Sequence, residues 1–263
     1  MKTNVYDLAG KIQKEVQLPK EFESEVKERL INRAYISSLT KKIQPKGVFG
    51  KAGRQTTARY KGVRRVRNSL IAIGKARKPR TTHAKNLVQG RVAGLPGVVG
   101  GPRAHPPKVE TVIAEKINKK EKKLALYSAL AAITNKELVR SKHVFDTSLT
   151  LPIIWEEKAE TLAKTKDIYN ALATLKLNDD VENAKAKKNI RAGKGKMRGR
   201  KYNRKKSILF VVSDSKSPLG KAARNLEGVD VTTVRSLSVE KLAPGGKPGR
   251  LVVFTETAMN KMR

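Results

Sequence analysis

Three short apolar runs mark the most regular part of the chain. Residues 207–212, 229–234 and 251–254 are runs of strand length, and Pro218 opens a helix-like stretch after the first. Apolar strands that alternate with helical segments are typical of parallel sheets buried on both faces. We therefore predict an α/β fold with an open, mostly parallel sheet that helices cover on both sides.

Other segments have strand or helix patterns of their own. Residues 5–8 and 15–18 predict a short strand and its return, while apolar residues at helical spacing predict helices over 21–39 and 112–134. Residues 156–186 are also expected to be mainly helical. A helical turn at 239–242 and a short helix after the last strand complete the predicted body.

Residues 45–107 interrupt this pattern with ten glycines and six prolines. Glycine raises the entropic cost of order and proline removes a backbone donor, so sustained helix or sheet is not expected there. We predict a globular α/β body at 1–44 and 108–263 that carries 45–107 as a long extended loop.

Charge follows the same division. The chain has 58 Lys and Arg against 23 Asp and Glu, a net charge of +35, yet residues 29–109 contain 20 basic residues and no acid. Residues 185–206 hold 12 more, again without an acid, and the remaining 160 residues carry only +3. A nearly neutral body with two basic tracts predicts a polyanionic partner, and nucleic acid above all.

Several classes of protein are excluded or not expected. The chain has no cysteine, which removes disulfides and thiolate chemistry. No apolar run approaches the roughly 18–20 residues of a membrane span, and residues 1–10 lack a signal-like run, so neither a membrane nor export is expected.

Catalytic motifs are weak. No Walker A loop is present, and residues 193–199 have one residue too many for a dinucleotide fingerprint, so a flexible basic loop explains them better. His143 near Asp146 is interpreted as a polar pair at a strand end, and Asp179-Asp180 as a helix cap. The loop 213–217 follows a strand where α/β sheets bind ligands, but helix capping by its small polar residues accounts for it.

No histidine has a partner at metal-binding spacing, so neither a metal nor a cofactor is expected. Two alternatives stay open at this point. One is a nucleotide-dependent RNA-modifying enzyme with a pocket near 213–217, and the other is a chromatin-like binder of duplex DNA.

RNA recognition suits the basic tracts better. Residues 59–67 place five basic groups and Tyr60 within nine positions, and 191–204 repeat this composition. Basic side chains bind phosphates, aromatic and Arg planes stack on unpaired bases, and glycine allows close backbone approach. The predicted RNA-binding residues are Lys51, Arg54, Arg59, Tyr60, Lys61, Arg64, Arg65, Arg67, Lys75, Arg77, Lys78, Arg80, His83, Arg91, Arg103, His105, Lys108, Arg191, Lys194, Lys196, Arg198, Arg200, Lys201, Tyr202 and Arg204.

Five blocks, in order along the chain, resemble one protein family. They read GPRAHPP at 101–107, INKKEK at 117–122, RAGKGKMRGR at 191–200, RNLEGV at 224–229 and LAPGGKPGRL at 242–251. Together they resemble the archaeal and eukaryotic branch of ribosomal protein four of the large subunit. The absence of a long tail after residue 263 favours the archaeal type.

The resemblance implies a non-enzymatic constituent of the large ribosomal subunit in the cytoplasm. Its α/β body would lie on the subunit surface, and its long loop would pass through ribosomal RNA to the peptide exit tunnel, opposite another tunnel-lining protein. By position the loop tip corresponds to 54–67, where RYKGVRR at 59–65 replaces the family's Trp-Gly and Gly-Arg-Gly elements. Residues 191–204 correspond to a second block that contacts RNA.

Overall fold

The structure is a computed structural model that describes residues 1–65, 69–71, 74–81 and 90–262. The chain divides into two compact units, Met1–Lys42 with Ala114–Arg263, and Ile43–Ile113. The first unit contains all the helices and strands longer than a single bridge that the described residues form.

A six-stranded sheet organises the first unit. The strands of the chain are β1 (Lys2–Tyr6), β2 (Ile12–Gln17), β3 (Ile153–Trp155), β4 (Asn189–Ile190), β5 (Tyr202–Asn203), β6 (Leu209–Val212), β7 (Asp230–Thr233) and β8 (Val252–Thr255). The main sheet has the order β2-β1-β3-β8-β6-β7, and only β1 and β2 pair antiparallel. Strands β4 and β5 form a separate antiparallel pair.

Helices lie on both faces of this sheet. They are α1 (Glu28–Thr40), α2 (Lys119–Thr134), α3 (Lys136–Arg140), α4 (Thr165–Thr174), α5 (Asn178–Ala186), α6 (Pro218–Ala223), α7 (Val239–Leu242) and α8 (Glu256–Met262). Within the described part of the chain, no helix is both long and apolar enough to cross a membrane.

Side chains of alternate strand residues pack into two separate hydrophobic cores, one on each face of the sheet. On one face Trp155 packs against Phe210 at 5.4 Å between ring centroids, with α4, α5 and α6 above them. On the other face Phe22 meets Phe254 edge-on at 5.9 Å beneath α1 and α2. Because side chains of successive strand residues point to opposite faces, a strand with both faces buried must be apolar throughout. The predicted α/β class with a mostly parallel, doubly covered sheet is confirmed.

The predicted helix over 21–39 begins too early. A 3₁₀ turn covers Lys20–Glu23, and α1 begins only at Glu28. The Ser128 hydroxyl accepts the Lys27 N–H at 3.2 Å and donates to the Glu25 carbonyl at 2.6 Å. These bonds from α2 hold the intervening backbone extended, which overrides its helical spacing.

The predicted helix over 112–134 also begins too early. Helix α2 starts at Lys119, so residues 112–118 lie outside it. Before it, the Glu115 carbonyl accepts a bond from Ser37 and the Glu115 N–H donates to Thr40. Side chains at the end of α1 thus bond the N–H and carbonyl of Glu115, which would form helical hydrogen bonds if α2 began earlier.

The strands predicted at 5–8, 15–18, 207–212, 229–234 and 251–254 are present, with ends shifted by a few residues. Strand β3 was not predicted. Its three residues are fully buried between β1 and β8, but a run of three is too short to show a periodicity.

Candidate nucleic-acid interface

The second basic tract folds as a hairpin. Ile190 of β4 pairs with Tyr202 of β5, the Arg191 N–H donates to the Lys201 carbonyl at 2.9 Å, and a 3₁₀ turn at Lys194–Met197 closes the end. Residues 193–199 thus lie in the loop that closes this hairpin, which agrees with their interpretation as a basic loop. The cations of the hairpin are exposed on a defined backbone.

Tyr202 is the aromatic centre of this hairpin. Three cations lie near its ring centroid: Lys188 at 5.0 Å, Lys201 at 5.5 Å and Arg204 at 5.9 Å. Tyr202 is 40% exposed, so it offers an aromatic surface surrounded by positive charge. Sequence reasoning did not select Lys188, because only the strand pairing brings it to the ring.

Glu227 holds two of these cations. Its carboxylate accepts a hydrogen bond from Lys188 at 2.8 Å and lies 3.6 Å from Arg204. The bond from Lys188, helped by the charges of Arg204 and Lys185, lowers the pKa of Glu227. Part of the tract's charge is therefore neutralised within the protein.

Asp180 anchors the far end of the tract. This fully buried carboxylate in the first turn of α5 lies 2.8 Å from His143 Nδ1 and 2.7 Å from Lys205 Nζ. Burial alone would raise the pKa of Asp180, but His143 and Lys205 outweigh it and lower the pKa to about 2. Lys205 thus serves the fold, since it neutralises a buried acid.

These contacts correct two sequence interpretations. His143 pairs with Asp180 rather than with Asp146, which instead bonds Lys176 at 3.3 Å. Asp180 does not cap a helix: α5 does begin at Asn178, but the Asp180 carboxylate is used in the buried ion pair. The reason is tertiary, because residues 37 positions apart meet only when the sheet has assembled.

The unit Ile43–Ile113 contains most of the first tract, residues 43–109. Three backbone segments pair antiparallel at its centre. Arg59 forms an isolated β-bridge with Arg80, and Arg80 forms another with Val92. Two further backbone bonds lie beside this centre: the Leu70 N–H donates to the Lys61 carbonyl, and the Gly90 N–H donates to the Thr81 carbonyl, both at 2.9 Å. Arg65, which follows Lys61 in the chain, has φ 60°, in the left-handed region that non-glycine residues rarely adopt.

Arg80 is built into this centre. Its backbone pairs with Arg59 in both directions, and its guanidinium donates to the Gly90 carbonyl at 3.0 Å and the Ala76 carbonyl at 3.4 Å. The side chain is only half-buried: each of its two terminal nitrogens donates one bond within the unit, while its Nε has no partner among the described residues.

Tyr60 has a glycine beneath its ring. A Cβ added to Gly62 would lie 2.3 Å from a ring carbon of Tyr60, so a larger residue at position 62 would require the Tyr60 ring to move. The Tyr60 side chain remains 39% exposed. This gives the first tract an accessible aromatic beside Arg59, Lys61 and Arg64.

Every described residue of the predicted RNA-binding set except Arg80 is exposed. Among these described residues, Arg204 alone has a carboxylate within 4 Å. Arg67 and His83 lie outside the described residues. The structure thus gives two groups of exposed, largely unpaired cations, each on a glycine-rich backbone.

The carboxyl edge of the main sheet is filled by the protein itself. The Glu160 carboxylate accepts bonds from the Ser213 N–H and hydroxyl at 2.9 and 2.7 Å, and from the Thr255 and Thr257 hydroxyls at 2.6 Å each. Burial acts to raise the pKa of Glu160, but these four bonds outweigh it and lower that pKa. Ser213 therefore binds the Glu160 carboxylate, and the Ser217 hydroxyl donates to the Glu160 carbonyl at 3.2 Å. The helix-capping interpretation is wrong, since Ser217 makes no side-chain cap.

A cleft lies beside this edge, at the carboxyl ends of β6 and β7. Its single lining acid, Asp214, is paired with Lys261 at 3.0 Å. The cleft is the nearest equivalent of the pocket that an RNA-modifying enzyme would need.

Comparison with known proteins identifies the chain's relatives. The model of the ribosomal protein L4/L1 family matches residues 16–263. Large ribosomal subunit protein uL4 of Methanocaldococcus jannaschii is 47% identical over 100% of this chain and 98% of its own length. The uL4 proteins of Sulfurisphaera tokodaii and Pyrobaculum aerophilum are 44% and 42% identical, again over 100% of this chain and over 94% and 89% of theirs.

Both comparisons agree with the resemblance found in the sequence, including its archaeal type. The matched residues include the main sheet, the β4–β5 hairpin and the unit Ile43–Ile113. The chain belongs to the ribosomal protein L4/L1 family, a family of structural proteins rather than enzymes.

Proposed function

We propose that this protein is a structural component of the large ribosomal subunit that binds large-subunit ribosomal RNA through the unit Ile43–Ile113 and the β4–β5 hairpin. One observation supports this most: the exposed cations of both regions lack acidic partners among the described residues, apart from Arg204. Such a surface is costly in isolation because like charges repel, and phosphates relieve that repulsion.

The aromatic residues favour RNA over duplex DNA. Tyr60 and Tyr202 are exposed, each among several cations, and a flat ring can stack only on bases that are not buried in a duplex. Folded ribosomal RNA presents such bases in loops and bulges. A regular DNA duplex does not.

The finer role follows the family. We propose that residues 45–107 pass through ribosomal RNA and that the segment near 54–67 borders the peptide exit tunnel, opposite another tunnel-lining protein. The body at 1–44 and 108–263 would lie on the subunit surface, with 185–206 as the second segment that contacts RNA. The assembled ribosome would place the protein in the cytoplasm.

A charge-neutralising variant tests the hairpin's part in RNA binding. Replacing Arg191, Lys194, Lys196 and Arg198 by Gln should weaken binding to a large-subunit RNA fragment and make it less salt-dependent. Each lost phosphate contact lowers the log–log salt slope by about 0.7–0.9. Filter binding between 50 and 300 mM salt measures both quantities.

The matched control removes the same charge elsewhere. Lys116, just before α2, and Lys119, Lys120 and Lys122, in its first turn, are exposed. Their replacement by Gln should leave the slope nearly unchanged. Equal losses in both variants would mean that net charge alone drives binding. Equal affinity of the wild type for duplex DNA at matched salt would favour the DNA-binding alternative.

A further inference from the structure

A groove in the unit Ile43–Ile113 has no role in the contacts described above. It has a volume of 570 Å³ and is lined by residues 47–54 on one side and 101–110 on the other. We call it the Phe49 groove, after the only aromatic side chain in its lining.

Glycines bring the two walls of the groove together. A Cβ on Gly53 would lie 2.4 Å from the carbonyl carbon of Gly101 and from the Pro102 nitrogen, and one on Gly47 would lie 2.8 Å from the Val109 side chain. Gly53 also has φ +73°, which disfavours any larger residue. Backbone turns at 49–52 and 51–54 then shape the first wall.

The lining combines apolar surface with positive charge. Phe49 and Val109 are each 64% exposed and Val48 is 49% exposed. Arg54, Arg103 and Lys108 line the same groove, and none has a carboxylate partner among the described residues. Glu110 is the single acid in the lining.

This chemistry matches one kind of ligand. We infer that the Phe49 groove binds a single unstacked nucleotide of RNA, with its base on the Phe49 ring and its phosphates on Arg54, Arg103 and Lys108. A base is flat and apolar on its face, while its phosphates are anionic, so one nucleotide satisfies both features of the lining. An apolar peptide would cover Phe49 but leave three cations without partners. The inference rests on the proposed RNA-binding function and adds a specific subsite to it.

The test compares two short RNA duplexes that differ by one bulged nucleotide, which carries 2-aminopurine in a labelled copy. The full-length wild-type protein should bind the bulged duplex more tightly and change the 2-aminopurine fluorescence. In Phe49→Ala the preference should fall by about 5- to 100-fold, the range of one base–aromatic stack. Binding to the paired duplex should stay the same.

Two further variants separate stacking from other effects. Phe49→Leu keeps apolar volume without an aromatic face and should lose most of the preference. Val63→Ala changes another side chain of the same unit that is 64% exposed and should keep the preference. Because Phe49 is exposed, thermal unfolding of Phe49→Ala should match the wild type.

Three results would overturn the inference. They are a wild type with equal affinity for both duplexes, a Phe49→Ala protein that keeps the preference, and a Phe49→Leu protein that behaves as wild type, since the last would indicate an apolar protein contact. If the wild type binds neither these duplexes nor large-subunit RNA, the proposed function fails as well.

Discussion

Single buried polar residues decide much of this protein's local geometry. Arg250 is only 1% exposed, and its guanidinium bonds the Ser207 and Lys241 carbonyls and Asp230. It belongs to one of the blocks that carry the family resemblance, yet its role is structural. A basic residue in a family signature is therefore not by itself an RNA contact.

Glu160 should contribute measurably to stability. Glu160→Ala leaves the Ser213, Thr255 and Thr257 donors without their acceptor, and the free energy of unfolding should fall by about 2 kcal/mol. Trp155 is the only tryptophan and is fully buried, so its fluorescence in urea reports global unfolding. Glu157→Ala in the same turn is the control, because Glu157 is exposed and makes no ion pair within the described residues. Equal effects of the two variants would contradict this role.

Asp180 should make stability depend on acid. Asp180→Asn breaks a buried ion pair and should cost about 3 kcal/mol at neutral pH. The folded-state pKa of Asp180, about 2, lies below its usual value, so the charged form stabilises the protein above about pH 4. That contribution disappears as the pH falls from 4 towards 2. Urea unfolding of both proteins at pH 7, 4 and 2.5 should show the difference shrinking, and a constant difference would contradict the assignment.

At the scale of elements, the β4–β5 hairpin shows how charge is divided between fold and partner. Lys188, Lys205 and Lys206 bond Glu227, Asp180 and Asp230, whereas residues 191–201 have no carboxylate partner in the described part of the chain. The base of the hairpin is thus fixed by ion pairs, and its end is left free for phosphates.

Removing the acid at the base should strengthen RNA binding. Glu227→Gln releases Lys188 and Arg204, which stand beside the exposed ring of Tyr202. Two additional cations should raise RNA affinity and steepen the log–log salt slope by up to about 1.4–1.8. Filter binding across a salt series measures this. Glu182→Gln is the control, because Glu182 bonds Tyr169 rather than a cation. A slope that does not change would show that these cations reach no phosphate.

At the scale of the whole molecule, the two units differ in the interactions that stabilise each of them. All buried members of the two hydrophobic cores lie within 5–34 and 125–259. Within the described residues of 43–113, only Ser69 is fully buried. The first unit therefore has a core of its own, while the second is held by backbone bridges and turns.

Deleting residues 50–100 should leave a folded body. None of the removed residues belongs to either core, so the melting temperature should stay within about 3 °C of the wild type, a change below roughly 1 kcal/mol. The variant should still fail to co-sediment with large subunits through a high-salt wash. Loss of the thermal transition would mean that this segment supports the core.

How far the sequence leads depends on whether a pattern is local. The runs at 207–212 and 251–254 are long enough to show buried strands, and the prediction of a doubly covered sheet from them is confirmed. The helix predicted over 112–134 was wrong at its start, because Ser37 and Thr40 bond Glu115. Such bonds join residues far apart in the chain, which no local periodicity can show.

The sequence alone determined the fold class, the family and the division of charge, because apolar periodicity, contiguous motifs and acid-free tracts can all be read along one dimension. Only the tertiary structure decided which charges remain available. Lys205 and Arg250 are as basic as Arg198, yet one neutralises Asp180 and the other is buried against Asp230. The walls of the Phe49 groove lie about fifty residues apart in the chain, so the groove exists only when Gly53 meets Gly101. Chain order sets the type of each side chain, but its partners depend on distances that folding alone creates.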